Sequence, residues 1–497
     1  MGIFSSFSLP PYSLIFINFL TFPILLLILI EAQKKNCLNL INFNIGWMFG
    51  IGYFLSNIYW IVYSLTFDDI YKPIIPIVLI LLPSFLGLFY GLITLIVSKF
   101  NLKTDISTIL IFSLVFGVME FFRGFVLGGF PWNLIVYSLT DYINSIQILS
   151  VIGTYSLNLV LITFFLLPLI FIIKKNLKLK SLVIIILFLV VFCNSFYGSF
   201  KINKDQIFYK NFKDFKVKII SPRITIDRFF KQNNEQIIIN ELIELSSPDV
   251  EQKTIFVFPE GALTGINLKY LDNYKELFKK NFSDKHKIIM GINTEKVENN
   301  LFKTYNSMVL LDSDLNLIKK YNKNKLVPFG EFLPFENFFK KIGLKKITRG
   351  YQSFSAGNNR ELFIIDSFNF IPLICYEIIY SGIFSSLLED TNFIINISED
   401  GWFGNSVGPV QHFSHSIFRA IEEGKNIIRS ANNGISAYID ANGLVLNKLE
   451  STQRGVIEIN SYKNLEKTLF SKFGNKIFFY FIIIYISLIF FIYKKER

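Results

Sequence analysis

The sequence predicts an α-helical transmembrane domain joined to a layered α/β domain. Two observations carry this. Long apolar runs crowd into residues 1–199 and recur at 477–493, whereas residues 200–473 have the short apolar runs and turns of a soluble protein. In that second region strand-like and helix-like stretches alternate, the mark of a layered α/β arrangement. The chain has 497 residues, long enough for two or more domains, and 52% of them are hydrophobic, high for a soluble globular protein. The division expected is a membrane domain of about six spans over 1–199, a soluble domain over 200–473, and a C-terminal membrane helix with a short tail over 474–497.

A helix needs about 20 apolar residues to cross the hydrocarbon core. Spans are expected near 12–31, 43–66, 73–98, 106–126, 144–173 and 181–198, then 477–493, and residues 1–11 are apolar enough to contribute to a shortened extra span. No cleavable leader is evident: the first apolar stretch lacks both a basic start and a small-residue cleavage site.

Lysines set the orientation. Lys34 and Lys35, Lys99 and Lys103, Lys174, Lys175, Lys178 and Lys180, and the terminal Lys494, Lys495 and Arg497 all fall on one side of the predicted spans. That side is expected to be cytoplasmic, which puts the 200–473 domain on the opposite side of the membrane. Glu120 and Arg123 sit at membrane depth in MEFFRGFVLGGFPWN, three residues apart on one helix face. A buried structural pair is the plainer reading, a functional pair the sharper one. Trp132 is a plausible interfacial anchor.

The net charge of +12 raises nucleic-acid binding, but much of the basic excess flanks apolar spans. No zinc-finger spacing, RNA-binding aromatic motif or basic DNA-reading helix is present, so no nucleic acid is expected. The three cysteines, Cys37, Cys193 and Cys375, form no C-x-x-C pair, and an odd count argues against a disulfide framework. His412 and His415 are three apart on a predicted helix, but with one further histidine and no clear third ligand a metal is not expected.

In the soluble region, strands are predicted over 216–221, 254–260, 287–293, 305–312, 370–377, 392–398 and 434–440, and helices over 234–247 and 411–425. Three predicted strand ends or their following loops carry reactive side chains: Glu260 ends TIFVFPE, Lys323 lies in KKYNKNKLVPFGEF, and Cys375 lies in FIPLICYE. A lone cysteine at a strand end is commonly an inert buried residue. Glu260 after proline could be a helix-cap acid, and Lys323 a solvated surface lysine.

FPEGALTG, YNKNKLVPFGEFLP, ICYE and NISEDGWFGNSVGPVQH, in this order between two sets of spans, resemble the motifs of the nitrilase superfamily, more narrowly its membrane-embedded branch, the apolipoprotein N-acyltransferases. The resemblance covers almost the whole chain, GGFPWN included. It implies a nitrilase-like αββα sandwich with a Glu-Lys-Cys triad: Glu260 as general base, Lys323 as the lysine of the Y-x-K segment, Cys375 as nucleophile. Lys325 is the tempting wrong choice and falls where the family usually has histidine. Glu331 matches a second acid near the site, Tyr376 and Glu377 match supporting positions after the nucleophile, and Trp402 matches an aromatic near the substrate entrance, with plain packing as the alternative. One stretch departs from the family: ISPRITIDRFF replaces a run ending Lys-Trp, so the tryptophan position falls on Phe229 or Phe230.

The chemistry implied needs no metal or other cofactor. A thiol becomes a good nucleophile once a carboxylate takes its proton, and an ammonium favours thiolate and stabilises an oxyanion. Cys375 would attack a phospholipid ester, a lysophospholipid would leave, and the α-amino group of a diacylglyceryl-cysteine at an apolipoprotein's N-terminus would take the acyl group from the thioester. A monomer is expected. The rivals are a membrane-tethered amidase that passes the acyl group to water, against which the six upstream spans count, and a transporter, which would need polar or broken helices near the midplane. Finally, FLPFENFFKKIGLKKITR (332–349) sets Phe332, Phe335, Phe338 and Phe339 before Lys340, Lys341, Lys345, Lys346 and Arg349, a composition suited to a lid dipping into lipid headgroups; a soluble helix with an ordinary apolar face is the alternative.

Overall fold

The computed structural model describes all residues except 173–176, 230–234, 264–265, 299–300, 334–352, 385–390 and 497. The N-terminal part is helical. Five of the described helices are long and apolar enough to cross a membrane: Ile15–Lys34, Asn39–Phe67, Lys72–Val97, Ile106–Arg123 and Leu149–Phe171. A further helix runs Leu177–Lys204, and the last one Lys476–Glu496. Residues 1–11 do not form an extra span. Their one helix, Gly2–Ser6, is five residues long and packs on the helix Asn39–Ile58.

That helix and its neighbour Ile75–Val97 meet closely because small residues face each other. A side chain on Gly50 would come within 2.8 Å of the Gly87 Cα. Asp105 caps the helix Ile106–Arg123 by accepting from the Thr108 amide at 2.9 Å. The helix is followed by Leu127, Gly128 and Gly129, all at positive φ. At Gly129 a Cβ would lie 2.0 Å from the Gly124 carbonyl oxygen, so only glycine fits.

The rest is an αββα sandwich. One six-stranded sheet runs β13-β2-β3-β4-β5-β6 and the other β12-β11-β10-β9-β8-β7. Their ranges are β2 Lys216–Ser221, β3 Thr254–Val257, β4 His286–Glu298, β5 Leu301–Leu311, β6 Leu317–Asn322, β7 Phe363–Ile365, β8 Phe368–Ile374, β9 Phe393–Glu399, β10 Asn426–Asn432, β11 Ser436–Ile439, β12 Val445–Leu449 and β13 Gly455–Ile459. A small ladder pairs β1 (Tyr209–Asn211) with β14 (Ser461–Lys463). In each large sheet a parallel trio, β2-β3-β4 or β8-β9-β10, is flanked by antiparallel strands.

The alternation of side chains builds the layers. Ile255 and Val257 of β3 and Phe393, Ile395 and Ile397 of β9 point into the space between the sheets. Phe256 turns the other way, onto the helix Glu235–Ser246. On the far side, Ile371 and Leu373 of β8 and Ile394 of β9 pack on the helix Gly408–Glu423. The core they form is continuous with that of the apolar helices, through Trp132, Tyr137 and Leu157. The helix Gly408–Glu423 is thus sandwiched between sheet and membrane helices, and nearly all of its residues are buried, polar ones included. Trp132 is correspondingly not an interfacial anchor. It is 2% exposed, donates to Gln411 Oε1 at 3.0 Å and stacks on His412.

Candidate active site

The candidate triad comes from three strand ends. Glu260 follows β3, Lys323 directly follows β6, and Cys375 directly follows β8. Strands that stop at a sheet edge hand their next residues to a common rim, so residues far apart in sequence converge. Glu260 is buried, with Oε1 accepting from Asn306 Nδ2 at 2.7 Å and Oε2 from the Glu399 amide at 2.9 Å. Lys323 is 1% exposed. Its Nζ lies 3.7 Å from Glu260 Oε1 and 2.9 Å from Glu331 Oε2. Asn306 Nδ2 also donates to Glu331 Oε1 at 2.8 Å, and the Val327 amide to Glu331 Oε2 at 2.8 Å. One ammonium therefore sits between two carboxylates, and one amide bridges them.

Cys375 interacts electrostatically with Glu260 and Lys323. Its residue is 8% exposed, with φ at +50°, in the first position of the turn Cys375–Ile379. Burial pushes the thiol well above its ordinary pKa; the Glu260 carboxylate adds to this and the Lys323 ammonium opposes it. Burial likewise raises Glu260, against the pull of Lys323 and with a further push from Glu331. Burial disfavours the Lys323 ammonium, but Glu331, Glu260 and Cys375 outweigh it, and its pKa stands above the usual lysine value. The arrangement favours a protonated thiol, within electrostatic reach of a carboxyl group whose proton affinity is increased. It keeps a cation within reach of both. Those are the requirements for base-assisted thiol attack and for holding an oxyanion.

The supporting positions fall around this group in different ways. Glu377 is fully buried and does not face the thiol chemistry; it ties two loops together. Its Oε2 accepts from the Ile374 amide at 2.9 Å, while Oε1 accepts from Tyr321 Oη at 2.6 Å, the Asn324 amide at 2.9 Å and Arg360 Nη2 at 2.9 Å. The turn bearing Cys375 is so bound to the loop bearing Lys323. Tyr376 reaches into the helical part: its Oη donates to the Gly129 carbonyl at 2.9 Å, and that of Tyr380 to Gly128 at 2.8 Å. Trp402 is half-buried, its ring 4.9 Å from Phe229 and 5.9 Å from Phe67 of the helix Asn39–Phe67. Phe229 thus occupies an aromatic place beside Trp402; Phe230 lies outside the described residues. Among the described residues, Lys325 makes no ion pair with Glu260 or Glu331; its Nζ lies 5.6 Å from the centre of the Tyr380 ring. The segment from 334 to 349, which holds most of the lid expected from its aromatics and bases, also lies outside the described residues.

His412 and His415 are both buried. His412 contacts Asp400 and the Cys375 carbonyl, and His415 packs on Trp132 and Tyr137. Among the described residues no group of three or more His, Cys, Asp or Glu side chains is placed to hold a metal. Sequence reasoning missed Asn306, the amide that bridges Glu260 and Glu331. It also missed the Arg228–Glu399 ion pair and the buried Asp400–Arg429 pair. Charged residues inside the runs NIIRSAN and NISEDGWFGN were the available signal, because a charge within a strand-like run needs a buried partner.

Residues 1–167 match the family model described as apolipoprotein N-acyltransferase N-terminal domain, and residues 238–460 that of carbon-nitrogen hydrolase. The apolipoprotein N-acyltransferase of Rickettsia prowazekii (strain Madrid E) is 33% identical over 444 residues, covering 86% of this chain and 85% of that protein. That of Rhizobium leguminosarum bv. trifolii (strain WSM2304) is 30% identical over 475 residues, covering 92% and 88%. That of Brucella melitensis biotype 1 is 28% identical over 470 residues, covering 92% and 87%.

Proposed function

The chain belongs to the apolipoprotein N-acyltransferase family, and from that premise we propose that it moves a fatty acyl group from a membrane phospholipid to the α-amino group of an apolipoprotein's N-terminal diacylglyceryl-cysteine. It is a membrane protein. The finer placement proposed is the bacterial inner membrane, with the 200–473 domain in the periplasm, residues 1–199 and 474–497 holding it to the bilayer, and a monomer as the working unit.

The observation that carries the reading is the convergence of a sealed Lys323, two carboxylates and the Cys375 thiol at strand ends whose next turn is bonded to a break in the apolar helices. Such a site suits a substrate that arrives from lipid. Glu260 takes the thiol proton as Cys375 Sγ attacks the ester carbonyl. Lys323 stabilises the oxyanion of the tetrahedral intermediate. The intermediate collapses, the lysophospholipid alkoxide leaves with the proton held by Glu260, and a thioester remains. The acceptor amine then attacks that thioester, Glu260 takes a proton from it, and the departing thiolate receives that proton. Atoms and charges balance without a further co-reactant. Tyr376, Glu377, Glu331 and Trp402 support the reading as positioning or substrate-contacting groups.

The test is mass spectrometry of the full-length protein in liposomes of a defined phosphatidylethanolamine. An acyl-sized mass gain on the peptide containing Cys375, discharged by a diacylglyceryl-cysteine peptide and not by water, is expected. Discharge to water alone would favour an amidase, and no adduct would overturn the thioester route.

A further inference from the structure

Cys375 adopts a left-handed backbone conformation, with φ at +50°. A residue with a side chain is disfavoured there, and such a residue persists where its surroundings over-determine it. Two side chains approach its carbonyl oxygen: His412 Nε2 at 3.3 Å and Asn396 Nδ2 at 3.4 Å. Both belong to one network. His412 Nδ1 lies 2.9 Å from Asp400 Oδ1 and 3.1 Å from Arg429 Nη2. Asp400 also accepts from Ser398 Oγ at 2.6 Å and from Arg429 Nη2 at 2.8 Å. Arg429 Nη1 donates to Asn396 Oδ1, and its Nε to the Ile435 carbonyl at 3.1 Å. Asn396, Ser398, Asp400, His412 and Arg429 are each 0% exposed. The same network meets the thiol itself, through a side-chain hydrogen bond from Ser398 and the nearby charge of Asp400.

We propose that His412 is a positioning residue for the nucleophile: Nε2 donates to the Cys375 carbonyl and fixes the peptide plane between residues 375 and 376. The proposal rests on the reading of Cys375 as the acylated residue. A carbonyl only accepts, so Nε2 carries the proton; burial favours the neutral ring, in which Nδ1 is bare and accepts from Arg429 Nη2. A trans peptide is planar, so holding the Cys375 carbonyl toward His412 aims the Tyr376 N–H the opposite way. That N–H opens a helical turn, where the first amides have no partner within the turn. It is a donor adjacent to the thiol, available to the oxyanion beside Lys323. Trp132, stacked on the His412 ring with centroids 5.1 Å apart, holds the imidazole from the side of the apolar helices.

Two substitutions separate positioning from packing. In His412→Gln the terminal amide nitrogen can replace Nε2. In His412→Asn the shorter amide reaches only the place of Nδ1. Acyl-adduct formation on Cys375 is followed in phosphatidylethanolamine liposomes at several lipid concentrations, together with Tm. The expected order is wild type, then His412→Gln within a few-fold, then His412→Asn lower by up to roughly 10²- to 10³-fold, the range for loss of one oxyanion-hole donor. That loss should lie in kcat, with the lipid KM unchanged. The inference is overturned if His412→Asn acylates like wild type, or if both variants fall equally in step with Tm. Absence of an adduct on wild type would instead sink the reading of Cys375 on which it rests.

Discussion

Among the sealed ion clusters of the described residues, one among the apolar helices and one at the strand ends of the sandwich make the sharpest contrast. The first is closed. Glu120 and Arg123 are 0% and 1% exposed, and they meet through two parallel contacts, Nε to Oε1 at 3.0 Å and Nη2 to Oε2 at 2.8 Å. Arg123 Nη1 turns to the Phe130 carbonyl, and its guanidinium lies 5.2 Å from the Phe54 ring centre. One positive charge meets one negative charge, and each guanidinium nitrogen has a partner. The second is overloaded: Glu260 and Glu331 share Lys323, and neutral donors from Asn306 and the Glu399 amide make up the difference. A closed pair contributes to architecture. An overloaded cluster leaves a carboxylate with raised proton affinity within electrostatic reach of a thiol, which is a chemical resource.

If that contrast holds, the two clusters fail differently. The largest effect is expected for Cys375→Ala, which removes the group the overloaded cluster serves: transfer should fall by roughly 10³-fold or more, as for loss of a covalent nucleophile, with Tm nearly unchanged. A variant that unfolds would break the comparison. Arg123→Ala should do the reverse. Leaving Glu120 buried and uncompensated should cost about 3–5 kcal/mol, seen as lost yield and Tm in detergent, and the double change Glu120→Leu with Arg123→Leu should recover much of it. Failure of the double variant to recover would mean the pair does more than balance charge.

Glu331→Gln sharpens the comparison through pH. With Glu260 as the base proposed above, transfer needs it ionised, and activity should be lost on the acid side as Glu260 takes a proton. Burial, with Glu331 adding to it, raises that carboxyl. Without the Glu331 charge, the acid limb of the rate profile should move to lower pH, accompanied by a lower maximal rate because Lys323 loses a partner. A limb that stays in place would show that Glu331 does not act on Glu260.

The smallest effect concerns a carboxyl outside both clusters. Glu423 is 1% exposed, and burial, with Glu422 adding to it, raises it from 4.5 to about 8. A raised carboxyl favours the fold while protonated and costs stability as pH climbs from the unfolded value toward the folded one. Glu423→Gln should therefore raise Tm at pH 8 to 9 and leave it little changed at pH 4.5. Equal gains at both would assign the effect to packing.

Much of this was legible in the sequence. Short apolar runs bounded by turns located most of the parallel strands, which the structure buries on both faces, Ile255 and Val257 on one and Phe256 on the other. Length and hydropathy located the long helices, and motif order located Glu260, Lys323 and Cys375. The strand Asn426–Asn432 was missed because Arg429 interrupts its apolar run. The helix Gly408–Glu423 was expected, but not its burial. Gln411, His412, Arg419 and Glu422 look solvated as a string, and they are buried because membrane helices cover the face that a free sandwich would leave wet. Trp132 was misplaced for the same reason: an aromatic after a span suits the lipid interface equally well until a second domain packs on it.

The sequence by itself determined the long helices, most of the parallel strands and which residue types are available for chemistry, because side-chain pattern and turn chemistry act over a few residues. Only the tertiary structure decided that Lys323 lies between Glu260 and Glu331, that Glu377 binds the turn of Cys375 to the loop of Lys323, and that His412 faces the Cys375 carbonyl. Those facts depend on distance and burial in space, and the strength of a charge or a hydrogen bond is set there, not by separation along the chain.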